Sequence, residues 1–162
     1  MTDAGILDSR AAWGRLGLSL LISLIGNVGM WSIIVILPAV QAEFGVDRAD
    51  ASLPYTLTMI GFAAGNLLIG RAVDRWGVAL SLAASAVLMA AGFAAAALAP
   101  GIATLSALQL LIGFGTATSF GPLIADVSLW FLRRRGVAVA IAASGNYLSG
   151  AIWPFLLRDV LA

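Results

Sequence analysis

The sequence predicts an all-α membrane protein with five transmembrane helices, and three observations carry that prediction. Hydrophobic residues make up 61% of the 162, the mean hydropathy is +1.01 and only 10% are charged, whereas a soluble domain is nearer half apolar and a quarter charged. The charges are also clustered: none falls between Arg15 and Glu43, Asp50 and Arg71, Arg75 and Asp126, or Arg135 and Arg158. Each gap matches or exceeds the roughly 20 helical residues needed to cross a hydrocarbon core about 30 Å thick. Finally, the longest gap carries Pro100-Gly101 near its centre, a pair that reads as a turn between two spans.

Residues 1–15 read as a short cytoplasmic segment, and 16–162 as one transmembrane domain with spans at about 16–40, 53–70, 78–98, 102–127 and 136–157. Span 1 is too long for a signal-peptide core and lacks a small-residue cleavage pattern after it, so it reads as retained. Residues 41–52 form a polar loop. Span 2 starts near Pro54, which a first turn tolerates. The loop RAVDRWG separates it from span 3, which is rich in alanine. Span 4 ends before Trp130-Phe131, and the basic turn Arg133–Arg135 leads into span 5. With the N-terminus inside the cell, the inner loops hold Arg10, Arg15, Arg71, Arg75, Arg133, Arg134 and Arg135, leaving Arg48 and Arg158 outside. In short loops such an excess sets the orientation. The expected location is therefore the cell membrane, multi-pass, with a cytoplasmic N-terminus and an external C-terminus.

Lipid is as apolar as leucine, so helix association must rest on close backbone approach and on buried polar groups. Gly61 and Gly65 share one face of span 2, Gly113 lies in span 4, and Gly145 and Gly150 lie in span 5. The spacing of Asn27 and Trp31 in span 1, of Gln109, Thr116 and Phe120 in span 4, and the position of Asn146 in span 5 suggest a polar cavity lined by these spans. Interhelical hydrogen bonding is the alternative use of the same residues.

No carboxylate lies near the middle of a span. Paired catalytic carboxylates, a nucleophile with its base, a phosphate-cradling glycine loop and a metal cluster are all missing from the sequence, and Cys and His are absent. No enzyme activity, metal or cofactor is therefore expected. The near-neutral charge of +1 gives no reason to expect nucleic acid.

Gly70-Arg-Ala-Val-Asp74-Arg75-Trp-Gly77 resembles the signature loop G-x-x-x-D-R/K-x-G of the major facilitator superfamily, in its usual place after the second span and inside the cell. The resemblance implies that Gly70 and Gly77 permit a tight turn, and that Asp74 and Arg75 belong to a charge network governing the conformational equilibrium. It extends to Asp126, an acid near the inner end of span 4. The basic residue that usually meets this acid is replaced by Val78 and Ala79, which leaves Arg75 or Arg133–Arg135 as substitutes. Residues 121–154 also resemble the monocarboxylate and oxalate/formate branch.

The resemblance implies a secondary transporter of a small solute, with an organic anion as the candidate, of which this chain is an N-terminal part. Five spans are one short of the six-helix half from which such transporters are built. The implied partners are membrane lipid, the solute, and the C-terminal half or another membrane protein. A small membrane interaction protein or an inactive remnant is the alternative.

Overall fold

The computed structural model describes residues 7–161, with side chains through 157. The first six residues of the expected N-terminal segment, the side chain of Arg158 and the expected external C-terminus at Ala162 lie outside the described residues. Six helices follow in order: α1 (Arg10–Gly26), α2 (Val28–Phe44), α3 (Arg48–Ala96), α4 (Ile102–Thr116), α5 (Gly121–Trp130) and α6 (Arg135–Leu161), with a 3-10 turn at Ala117–Ser119 between α4 and α5. Among the described residues four helical stretches are long and apolar enough to cross a membrane: Arg10–Phe44, Arg48–Ala96, Ile102–Trp130 and Arg135–Leu157.

The second stretch, α3, has 49 residues. As a straight rod it would measure about 73 Å, more than twice the hydrocarbon thickness. It is broken at Gly77 (φ 80°, ψ 164°), a conformation essentially reserved for glycine. The two arms, 48–76 and 78–96, both pack on α4 but run in opposite directions. Along the first arm Gly61 abuts Leu110 and Gly65 abuts Phe114 and Ala117, so numbers rise together. Along the second, Gly92 abuts Ile112 while Ser85 bonds Thr118, so they run oppositely. The expected loop 71–77 is accordingly helical through Trp76, and the turn is concentrated at one glycine. Gly77→Ala should cost about 1–3 kcal/mol for strain alone. Gly70→Ala, at an exposed helical site with nothing within 4 Å of an added Cβ, should be neutral or stabilising by up to about 1 kcal/mol. Thermal unfolding in detergent separates the two.

Spans 1 and 4, expected as continuous helices, are each interrupted. In the first, the Asn27 side-chain amide donates to Ser23 O at 2.6 Å. Its own N–H takes the same carbonyl at 3.1 Å, so the side chain competes within the helical ladder and the backbone leaves helical geometry (ψ 3°). In the fourth, Pro122 has no N–H to offer the carbonyl of Thr118 and its ring crowds that turn, which accounts for the 3-10 turn and the non-helical Phe120. Helix α3 begins at Arg48, well before the apolar stretch, because the Asp47 carboxylate caps it by accepting from Asp50 N at 2.8 Å.

Helices α1 and α2 run antiparallel to α4, with Gly26 beside Ser119, Gly29 beside Thr116 and Val40 clustered with Leu105. Helix α6 runs alongside α1 and α2 in their direction: Ala138 and Ala142 pack with Ala12 and Leu16, Gly145 meets Ser23, and Gly150 meets Trp31. One end of the bundle therefore gathers the start of α1, the Gly77 hairpin and the α5–α6 turn, and with them the seven exposed arginines 10, 15, 71, 75 and 133–135. Arg48 lies at the other end.

Burial is the reverse of a soluble protein's. Leu67 is 79% and Val87 70% exposed, while Asn27, Thr58, Thr116 and Thr118 are fully buried and Gln109 is nearly so. Leucine outside and amides inside is the arrangement a lipid solvent favours, because polar groups must find partners within the protein.

Candidate functional site

At the arginine end, Asp126 of α5 accepts two hydrogen bonds from Arg15 of α1, from Nε at 2.8 Å and Nη2 at 2.9 Å. This is the only ion pair among the described residues. The guanidinium also stacks 4.5 Å from the centre of the Trp130 ring, an arrangement suited to the planar arginine fork. The partner of Asp126 is thus Arg15, rather than Arg75 or the Arg133–Arg135 cluster. In the sequence Arg15 stands out only as an inner-loop charge, and no spacing rule links residues 111 positions apart. Asp74 and Arg75 are exposed, and neither side chain has a hydrogen bond or ion pair among the described residues.

Asp8, in left-handed backbone (φ 55°), ties the N-terminal segment to the α5–α6 turn. Its carboxylate accepts from the N–H groups of Arg133 at 3.0 Å, Leu132 at 3.2 Å and Arg134 at 3.4 Å, and its own N–H donates to Trp130 O. Trp13 stacks edge-on against Phe131 beside it. The N–H of Arg133 above all, with those of Leu132 and Arg134 and the Arg133 charge, outweighs partial desolvation and lowers the Asp8 pKa below its ordinary 3.8. A depressed folded value means that this contribution is present above the ordinary carboxylate value and is lost as pH falls through the folded one. Asp8→Asn should therefore flatten the acid side of the unfolding profile, between about pH 5 and 2, with little change in its slope near neutrality.

The polar residues of spans 1, 4 and 5 do not converge on one cavity. Trp31 Nε1 donates to Asn146 O at 3.1 Å, joining α2 to α6. Gln109 Oε1 accepts from Thr58 Oγ1 at 3.1 Å, joining α4 to the first arm of α3. Thr116 donates to Ile112 O within its own helix, and Phe120 packs its ring 5.8 Å from that of Phe62. Asn27 is spent on the α1–α2 break, with Oδ1 buried and unpartnered. The interhelical use of these residues, together with local helix bonding, accounts for most of them.

The residue of this set that faces a cavity with other polar side chains is Gln109. It lines a cavity of about 360 Å³ at the end away from the arginines, with Ser32 and Glu43 of α2 and apolar side chains of α2, α3, α4 and α6 around them. Ser32 Oγ is buried and has no hydrogen-bond partner, and the Gln109 amide nitrogen makes no hydrogen bond among the described residues. Ser32 lies off the Asn27–Trp31 stripe, on the stripe Ser32, Ile36, Val40, Glu43, which has the same helical period and lines the cavity. A second cavity, about 490 Å³, is nearly all apolar and lies between the α1–α2 break and the second arm of α3.

Comparison with known proteins places this geometry. The family model described as Major Facilitator Superfamily matches residues 19–158. Among curated relatives, the hexuronate transporter of Bacillus subtilis is 30% identical over 71% of this chain and 28% of its own length. The human monocarboxylate transporter 11 is 37% identical over 52% of the chain and 18% of its own length. The MFS-type transporter pytF of Aspergillus terreus is 41% identical over 35% of the chain and 19% of its own length. The chain thus spans less than a third of the length of each of these relatives, and no solved structure matches it. The match covers nearly every described helix, the hairpin at Gly77 sits where the family's signature loop resembles residues 70–77, and the chain is a multi-pass membrane protein belonging to the major facilitator superfamily.

Proposed function

We propose that this chain supplies the N-terminal spans of a secondary transporter that moves a small organic anion down or against its gradient. The observation that carries the reading is the family match over residues 19–158. Two of the relatives are named for carboxylate-bearing solutes, hexuronate and monocarboxylate, and this supports an organic anion. The relatives' greater length supports a C-terminal half as the partner that completes the transport path.

The orientation follows from the arginines. With seven at one end of the bundle, the positive-inside rule places that end in the cytoplasm. The reversal of α3 at Gly77 supports five crossings rather than four, with the membrane being the cell membrane. Trp31, Phe120 and Gln109, with Ser32, are the solute-contact candidates, because Trp31 and Phe120 are partly exposed and Gln109 lines a cavity. Asn27 and Thr116 shape their own helices, and Asn146 joins α6 to α2. Gly61, Gly65, Gly113, Gly145 and Gly150 set the spacing of those helices. Gly70, Asp74, Arg75 and Gly77 act with Asp126 in the conformational equilibrium, Asp74 meeting its partner beyond the described residues.

In the complete transporter, Asp74→Asn should slow solute uptake roughly ten-fold, the scale of a modest shift between two states, while membrane insertion is unchanged. Uptake at the unaltered rate would remove Asp74 from this role.

A further inference from the structure

The two arms of α3 enclose an apolar groove of about 300 Å³ near the arginine end, walled by Leu68, Ala72 and Trp76 on the first arm and by Ala84 and Leu88 on the second. Two serines, 81 and 85, also line it, but both hydroxyls are engaged within the protein. Ser81 donates to Gly77 O at 2.9 Å and Ser85 pairs with Thr118 Oγ1. What remains in the groove is a slot without unsatisfied polar groups, suited to a hydrocarbon chain.

The mouth is different. Arg71 and Arg75 lie three and seven residues beyond Leu68 and share its stripe on the helix. Asp74, three residues beyond Arg71, lies on the flank of this stripe away from the groove and forms no ion pair with either arginine. Both arginines are exposed and neither side chain has a hydrogen bond or ion pair among the described residues. Trp76 is 58% exposed at the same level, the place where tryptophan sits at a membrane–water boundary.

We propose that this groove binds an anionic phospholipid, with one acyl chain between the arms of α3 and the phosphate on Arg71 and Arg75. Charge complementarity selects this occupant. A neutral lipid or a further helix would fill the slot while leaving two adjacent cations unpaired, and a free phosphate would leave the slot unfilled. The proposal depends on the membrane character of the chain and not on which solute it carries.

The test uses the 162-residue chain reconstituted in phosphatidylcholine vesicles containing a minority of acyl-brominated lipid, on either phosphatidylglycerol or phosphatidylcholine. Bromine quenches tryptophan on contact, and the signal of Trp76 is the difference between the unaltered chain and Trp76→Phe. The expected result is stronger quenching of Trp76 by brominated phosphatidylglycerol, with an apparent preference of about five-fold per arginine. Arg71→Gln with Arg75→Gln should abolish that preference. Raising the salt should reduce it on the unaltered chain, a readout that no folding defect can imitate. Equal quenching by the two lipids, a preference insensitive to salt, or one that survives the double substitution would overturn the proposal. Absence of quenching by either would do so too, because it would show the groove closed to lipid.

Discussion

Gly113→Ala, like Gly61→Ala, is expected to unfold or loosen the bundle more than a methyl added where a glycine faces only a side chain. The Cβ built at Gly113 falls on the carbonyl of Thr58, and the Cβ built at Gly61 falls on the carbonyl of Leu110. These are two sides of one contact, in which α4 and the first arm of α3 approach backbone to backbone. A flexible side chain could swing aside, but a main-chain carbonyl cannot move without its helix. The expected cost is at the upper end of the roughly 1–3 kcal/mol for overpacking. Because a single separation of the helices relieves both clashes, Gly61→Ala combined with Gly113→Ala should cost clearly less than the sum of the two alone. Gly14→Ala, with nothing within 4 Å of its Cβ, is the control and should leave unfolding in detergent unchanged or slightly later. Strict additivity at 61 and 113 would contradict a shared contact.

The second large effect is expected at Arg15. Removing its side chain leaves the Asp126 carboxylate, 13% exposed, with no cation and strips the stacked guanidinium from Trp130. Arg15 itself is 43% exposed, so solvent screening reduces the pair well below a buried one. A loss of about 1–2 kcal/mol for Arg15→Ala is expected, with part of it recovered when Asp126→Ala is added. Arg15→Lys should not restore the loss, since an ammonium cannot form the two-pronged bond and lie flat on the indole together. A double-mutant cycle that returns no coupling energy would show the pair to be incidental.

The sequence carried the fold class because lipid imposes a pattern that survives in one dimension: long charge-free runs, basic residues at alternate ends and small residues where helices touch. It carried less of the interior. The breaks at Asn27 and at Thr118–Phe120 depend on a side chain competing for one carbonyl and on a proline four residues away, each a local event inside an unbroken apolar run. Helix 71–76 was hidden for the opposite reason, since charged residues read as loop although a single glycine makes the turn. The candidate site was the least legible part. Asn27, Thr116 and Asn146 share a polar character with Gln109, yet only packing shows that Asn27 and Thr116 bond within their own helices, that Asn146 meets Trp31, and that Gln109 both joins α4 to α3 and faces a cavity with Ser32. The Arg15–Asp126 pair joins residues from opposite parts of the chain, and that pairing becomes visible only when α1 lies beside α5.

The central claim is a five-span bundle whose arginine end faces the cytoplasm. The chain contains no cysteine, so single cysteines can be placed at four exposed turns: Ala49→Cys, Arg75→Cys, Pro100→Cys and Arg134→Cys. In intact cells a membrane-impermeant thiol reagent should label positions 49 and 100, and should reach 75 and 134 only after the membrane is permeabilised. Labelling of 75 in intact cells, or of 49 and 100 from opposite sides, would contradict the reversal at Gly77 and the orientation built on it.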